Sequence, residues 1–100
     1  MDEIKLFYDK EMKNEIVDEI FFEKIMAGEV TKKNIFIVNT IRYPMDVKIE
    51  LSGADIQLNK SIEKLSPGTL RMIEFEFTPK ITRMEPLKAK LKIDVEYVII

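Results

Sequence analysis

Two stretches of the chain alternate strictly between apolar and polar residues, at positions 45–52 and 87–97. Successive side chains of a β-strand point to opposite faces of its sheet, so a period of two is typical of a strand with one buried face. The polar positions carry mostly lysine, glutamate and aspartate, which suit a solvated face. The pattern therefore predicts half-buried antiparallel sheets and an all-β fold.

Turn residues divide the rest of the chain into further short segments. The sequence predicts strands at 4–8, 15–23, 31–39 and 69–77, and residues 54–58 could form a short edge strand. Residues 15–23 are ambiguous, because their apolar positions also fit a helix that would end at Gly28. We predict a strand there, since isoleucine and two phenylalanines cluster at 20–22, and keep a helix over 15–27 as the alternative. Seven or eight strands in 100 residues predict one β-sandwich domain spanning residues 1–100.

The charged faces of the last two strands suggest how those strands pair. If Phe77 lies opposite Leu87 in an antiparallel pair, the apolar residues meet inside and Glu76 meets Lys88 outside. A shift by one residue would turn the phenylalanines to solvent. We therefore expect a hairpin that joins these two strands around the loop 78–86.

The composition excludes several classes of chemistry. The chain contains no cysteine and no histidine, so disulfides, thiolate metal sites and the commonest general base near neutral pH are absent. A net charge of −2 gives no electrostatic reason to bind nucleic acid. The sequence has neither an apolar run long enough to cross a membrane nor an apolar signal segment at its start. We expect a protein that is not an enzyme, has no cofactor or metal, lies in the cytoplasm or a virion, and carries no secretion signal.

Two clusters of charged residues can be interpreted either as functional sites or as solvated surface. Asp9, Glu11 and Glu15 could supply oxygen ligands to Ca²⁺ from a loop, although the spacing lacks the features of an EF-hand and favours a solvated turn. Lys88, Lys90 and Lys92 form a basic stripe on one strand face, which could contact phosphate or an acidic partner. The simpler interpretation is a solvated face that prevents aggregation.

In a half-buried strand, apolar residues on the solvent-facing side are candidates for contact with a partner. The last four residues are apolar on both faces, and Phe21 and Phe22 are adjacent, so one of those rings should face outward. Tyr43 lies in the connection that precedes Pro44. We predict contact with a protein partner, or with further copies of the chain, at Phe22, Tyr43, Val98 and Ile100.

The order of turns and strands resembles an immunoglobulin-like β-sandwich. The resemblance rests on the turn at 27–29, the strand that ends at Asn39-Thr40, the turn at 65–68, Phe75-Glu76-Phe77-Thr78-Pro79 and the long closing strand. Antibody-type domains are excluded, because their cysteine pair and tryptophan are missing. The chain is similar to immunoglobulin-like accessory modules of phage and archaeal-virus particles.

This resemblance implies a structural or binding protein of the virion, such as a capsid decoration or tail protein. Such a protein would act through surface contacts, as a homo-oligomer or within a larger assembly. The alternative is an intracellular adaptor or scaffold domain that binds peptides by strand addition to a sheet edge.

Overall fold

The computed structural model describes residues 3–23, 25–53 and 56–98, and these residues form eight β-strands and no helix. The strands are β1 (Ile4–Phe7), β2 (Glu15–Ile16), β3 (Glu19–Phe22), β4 (Thr31–Asn39), β5 (Met45–Gly53), β6 (Ile56–Leu65), β7 (Leu70–Phe77) and β8 (Leu87–Tyr97). The predicted all-β class is confirmed. The helix considered for residues 15–27 is wrong, because β2 and β3 occupy much of that segment.

The strands form two antiparallel sheets of four that enclose one core. Sheet A has the order β2-β1-β4-β7, and sheet B has the order β3-β8-β5-β6. Buried residues from both sheets join one hydrophobic cluster, in which Phe75 of sheet A and Leu51 of sheet B are fully enclosed. The rings of Phe22 and Phe77 also meet edge to face across the sheets, with centroids 5.3 Å apart. The arrangement is sandwich-like.

The N-terminal segment contributes strands to both sheets. β1 pairs with residues 36–39 of β4, and β2 extends sheet A beyond β1. The chain then crosses to sheet B through Asp18, whose φ of 62° lies in the left-handed region. β3 pairs with residues 87–90 of β8. Each sheet therefore receives only a short strand beside its long β4 or β8, and part of each long strand stays uncovered on that side.

The expected pairing of β7 with β8 is wrong, because these strands lie in different sheets. β7 pairs with β4 over eight residues, and β8 pairs with β5 instead. The loop 78–86 is fastened to the loop after β3, since the Arg83 N–H donates to the Ile25 carbonyl at 2.8 Å. Opposite charges still meet outside: Glu76 lies opposite Lys32 in the ladder, with a nitrogen–oxygen distance of 3.9 Å.

The short edge strand considered at 54–58 is part of a longer strand, β6. β6 runs continuously from Ile56 to Leu65, while residues 54 and 55 lie outside the described part of the chain. A β-bulge shifts the register between β5 and β6 by one residue between Met45 and Val47. It lies next to Lys64 of β6, whose φ is 52°. Asp46 supports this bulge by accepting a hydrogen bond from the Lys64 N–H at 2.8 Å.

Asn39 fixes the connection between β4 and β5 from inside the core. Its side chain is fully buried and fully bonded: Nδ2 donates to the carbonyls of Tyr43 and Leu65, both at 2.8 Å, and Oδ1 accepts from the Ile41 N–H at 2.9 Å. A buried amide whose nitrogen and oxygen both make hydrogen bonds does not destabilise the folded state. It holds the loop 40–44 rigidly against the end of β6.

Candidate interaction surfaces

β8 is covered along only part of one side. The strand has eleven residues, and β3 pairs with the first four of them, so among the described residues seven remain without a strand on that side. On its other side, β8 pairs with β5 from Lys90 to Tyr97. We call the uncovered side of residues 91–97 the open edge.

The backbone of the open edge is set to accept another strand. Successive residues of an antiparallel strand direct their N–H and C=O groups alternately to its two sides. The Leu91 N–H points toward the β3 side, where it donates to the Asp18 carbonyl at 2.8 Å, whereas the Val98 N–H donates to the Pro44 carbonyl at the end of β5. The N–H and C=O groups of Ile93, Val95 and Tyr97 therefore point out of the open edge.

A groove lies between the open edge and sheet A. Its cavity volume is about 250 Å³, and Lys5, Glu15 and Asp18 contribute to its lining beside six apolar residues: Ile4, Leu6, Ile16, Val17, Leu91 and Ile93. Residues Ile4, Leu6 and Ile16 are buried, whereas Leu91 and Ile93 are half-buried because sheet A covers them incompletely. A dry cavity of about 150 Å³ can hold a benzene ring, so this groove has room for one large apolar side chain.

The other long exposed strand sides carry a charged residue at a position that faces inward. Lys33 lies opposite the buried Phe75, Lys60 opposite the buried Ile49, and Arg71 opposite the buried Ile37. Inward-pointing charges are a known means of preventing strands from adding to an edge. At the corresponding positions of the open edge β8 has Leu91, Ile93, Val95 and Tyr97, which are all uncharged. Among the described long strands, the open edge alone lacks this protection.

The outer face of β8 is electrostatically uneven beside the open edge. Lys92 lies opposite Glu50 of β5, and Asp94 lies opposite Lys48. Glu96, in contrast, lies opposite Asp46, so two carboxylates share that end of the sheet. Like charges directly opposite each other are unfavourable, and a cation placed beside Glu96 would relieve them.

A second apolar surface lies on the outside of sheet A. We call it the apolar face, and it consists of Phe7, Phe36, Val38, Leu70 and Met72. The register places these side chains in two adjacent rows across three strands, with Phe36 between Phe7 and Met72. Met72 is 57% exposed, Phe36, Val38 and Leu70 are half-buried, and Phe7 is buried at 8% although it lies on the outer side of the sheet. Within the described residues, no third layer of secondary structure covers this face.

The four predicted contact residues are placed differently. Phe22 is 2% exposed and belongs to the core, because it points inward next to Phe77; the outward ring of the pair is Phe21, at 43%. Tyr43 is 64% exposed, and Val98 is half-buried. The hydrogen bond from Val98 to Pro44 brings the loop that carries Tyr43 to one end of the open edge. Ile100 lies outside the described residues.

The acidic turn has a structural explanation. The Asp9 carboxylate accepts hydrogen bonds from the backbone N–H of Lys13, at 3.0 and 3.1 Å, and from that of Asn14 at 2.7 Å. These bonds, with that of Lys13 contributing most, lower the pKa of Asp9 below its ordinary value. Asp9, Glu11 and Glu15 do not gather into a cluster of three metal-ligating side chains, and none is found elsewhere in the described residues.

The basic stripe on β8 is largely matched within sheet B. The Lys88 ammonium lies 5.7 Å from the centre of the Phe21 ring, Lys90 lies opposite Glu19, and Lys92 lies opposite Glu50. This agrees with the prediction of a solvated, partly neutralised face, although β3 and β5 supply the partners instead of β7.

Sequence reasoning did not find the open edge or the apolar face. Both depend on which strands are neighbours, and alternation of side chains does not encode this.

The described residues contain no helix that is long and apolar enough to cross a membrane. No family model, curated protein or solved structure matches the chain.

Proposed function

We propose that this chain is a non-enzymatic module that binds other proteins through rigid surfaces of its β-sandwich. The observation that carries the proposal is the open edge, a row of outward backbone groups beside an apolar groove. Edges of this kind pair readily with an extended chain, and the other long exposed sides of this molecule carry an inward charge that opposes such pairing. The proposed mode of binding is therefore strand addition to β8.

The proposal is tested with a displayed library of random seven-residue segments, selected against the purified protein. Wild-type protein enriches binders, and Val95→Pro fails to retain them. Proline at 95 removes an N–H that points out of the open edge, so it leaves the ladder between β8 and β5 intact. Val95→Ala is the matched control, because it loses the same side-chain packing but keeps the N–H. If no segment is enriched on wild-type protein, or if Val95→Pro retains the binders, the proposal is wrong.

The second candidate is a structural role in which the apolar face contacts further copies of the chain. It is favoured by five apolar side chains in adjacent rows outside the core. Placing this assembly in a virus particle rests on the resemblance to immunoglobulin-like virion modules alone. Sedimentation at increasing concentration tests it: wild-type protein associates, and Met72→Lys does not. Glu74→Gln, on the same face outside the apolar rows, is the control, and a wild-type protein that stays monomeric contradicts this role.

A further inference from the structure

We infer that the open edge receives an extended antiparallel segment of another protein, with apolar residues at alternate positions and a basic residue opposite Glu96. The inference rests on the proposed function, and it specifies the partner of that site. Its length, its direction and its side chains each follow from a different feature of β8.

The length is limited by the structure at both ends. At one end, β3 already occupies the side of β8 next to Lys90, and at the other end the Val98 N–H turns to the Pro44 carbonyl. An added strand can therefore lie beside residues 91–97, which is seven positions, and its hydrogen bonds go to Ile93, Val95 and Tyr97, because the Leu91 N–H already donates to the Asp18 carbonyl. The antiparallel direction is favoured because all the strand pairs in both sheets are antiparallel and this ladder is the more stable per residue.

The inward side chains of the added strand must be apolar. They lie on the same face as Leu91, Ile93, Val95 and Tyr97, whose opposite neighbours on β5 are buried. Near Leu91 and Ile93 they also meet the groove, where the buried Ile4, Leu6 and Ile16 supply apolar contact. An added strand would complete the cover that sheet A leaves unfinished.

The outward side chain opposite Glu96 must be basic. Lys92 and Asp94 each lie opposite a residue of opposite charge on β5, so neither requires a charged residue on the added strand. Glu96 faces Asp46 on β5, so a lysine or arginine opposite Glu96 on the added strand would give this carboxylate the cationic neighbour that β5 does not supply. In an antiparallel segment that spans the seven positions, this basic residue is the second one.

A second copy of β8 does not fit this site in the register that pairs all seven residues. Two copies paired about the middle of the seven residues would set Asp94 against Asp94 of the second copy. Val98 would then have to occupy the place beside Lys90 of the second copy, which β3 of that copy already fills. Both the charge and the space favour a segment of a different protein.

The test compares two peptides of identical composition, each with the same soluble tail. The matching peptide is Val-Lys-Val-Thr-Ile-Thr-Val, and the control is its reverse, Val-Thr-Ile-Thr-Val-Lys-Val, which sets its lysine opposite Lys92 in the antiparallel direction. We expect the matching peptide to bind about three- to tenfold more tightly in fluorescence anisotropy. Glu96→Lys should remove or reverse this preference, while Lys60→Glu, on β6, should leave it unchanged.

Each outcome has a distinct meaning. Tighter binding of the reversed peptide overturns the antiparallel direction, and equal binding overturns the basic position. In either case, binding that is lost in Val95→Pro and kept in Val95→Ala still supports strand addition, so the proposed function survives. A wild-type dimer that Val95→Pro dissociates would make a second copy the occupant and would overturn the inference.

Discussion

The two sheets contain the same kind of gap, but the residues that line the two gaps differ. In sheet A, β1 leaves residues 31–35 of β4 without a strand on one side, and in sheet B, β3 leaves residues 91–97 of β8 uncovered. Both gaps arise because the N-terminal segment is divided between the sheets at Asp18. An uncovered strand side is either protected against pairing or available for it.

The gap beside β4 is protected against pairing. Lys33 takes an inward-facing position there, and its ammonium lies 4.9 Å from the centre of the Tyr8 ring. The Tyr8 hydroxyl accepts a hydrogen bond from the Phe21 N–H at 3.2 Å, so it also caps a backbone group of β3. A strand that approached β4 would have to bury the Lys33 charge or displace this ring.

The gap beside β8 has neither of these features. Its inward positions are apolar, and six aliphatic residues contribute to the lining of the groove beside it. The same chain protects one gap and leaves the other available, and the proposed binding at β8 rests on this difference. The predictions below exchange the properties of the two gaps or weaken their supports.

The largest effect is expected from Ile93→Lys, which gives β8 the inward charge that β4 already has. An added strand would enclose that charge without a partner, so binding of the matching peptide should weaken by more than about a hundredfold. Because Ile93 is half-buried, the free energy of unfolding should fall by only about 1 kcal/mol. Anisotropy and urea denaturation measure the two effects, and Ile93→Leu is the control of similar volume. Undiminished binding by the lysine variant would place the peptide elsewhere.

The converse change is Lys33→Ile, which removes the inward charge from β4. We expect this variant to self-associate as its concentration rises, because two unprotected strand sides can pair. Loss of the contact with Tyr8 should cost no more than about 1 kcal/mol of folding free energy, so unfolding would not explain the association. Sedimentation velocity measures it, with Lys33→Arg as the charged control. A variant that remains monomeric at all concentrations would show that the lysine is not what protects β4.

Tyr8→Phe should have a smaller effect, confined to the β4 side. The variant loses the hydroxyl that accepts the Phe21 N–H, which is worth about 1 kcal/mol of unfolding free energy. Hydrogen exchange at Phe21 should accelerate, while exchange at Asp94, whose N–H points to β5, should not change. Tyr43→Phe is the control, since it removes a hydroxyl from an exposed ring. Equal acceleration at both amides would mean that the two gaps are not independent.

The sequence predicts the long strands well because one face of each is buried. The alternation at 45–52 and 87–97 locates β5 and β8 to within a residue. Alternation reports which face a side chain occupies and says nothing about the neighbouring strand, so the hairpin expected between β7 and β8 was wrong. The same limitation explains why Phe22 was chosen over Phe21, since the two differ only in which of them faces the core.

A signal for the candidate site was nevertheless present in the sequence. Lys33 falls in phase with the apolar residues of β4, and Lys60 does so in β6, whereas β8 has no charged residue in phase with Leu91 and Ile93. A charge in phase with a buried face indicates a strand side that must not pair. The signal becomes interpretable only when the lengths of β1 and β3 show which strand sides are uncovered, and those lengths depend on the crossing at Asp18.

The smallest effect concerns the turn that fastens β2 to β1 and so supports one wall of the groove. The pKa of Asp9 is lowered in the folded protein relative to its ordinary value of 3.8. Its contribution to stability is therefore present above pH 3.8 and is lost as the pH falls through the lower folded value. Asp9→Asn should remove this part of the acid dependence and leave stability near neutral pH little changed, because the amide oxygen can still accept hydrogen bonds from Lys13 and Asn14. Urea denaturation between pH 2 and pH 7 measures the difference, with Glu11→Gln as the control in the same turn. If wild type and Asp9→Asn lose stability in parallel below pH 3.8, the carboxylate does not support the turn.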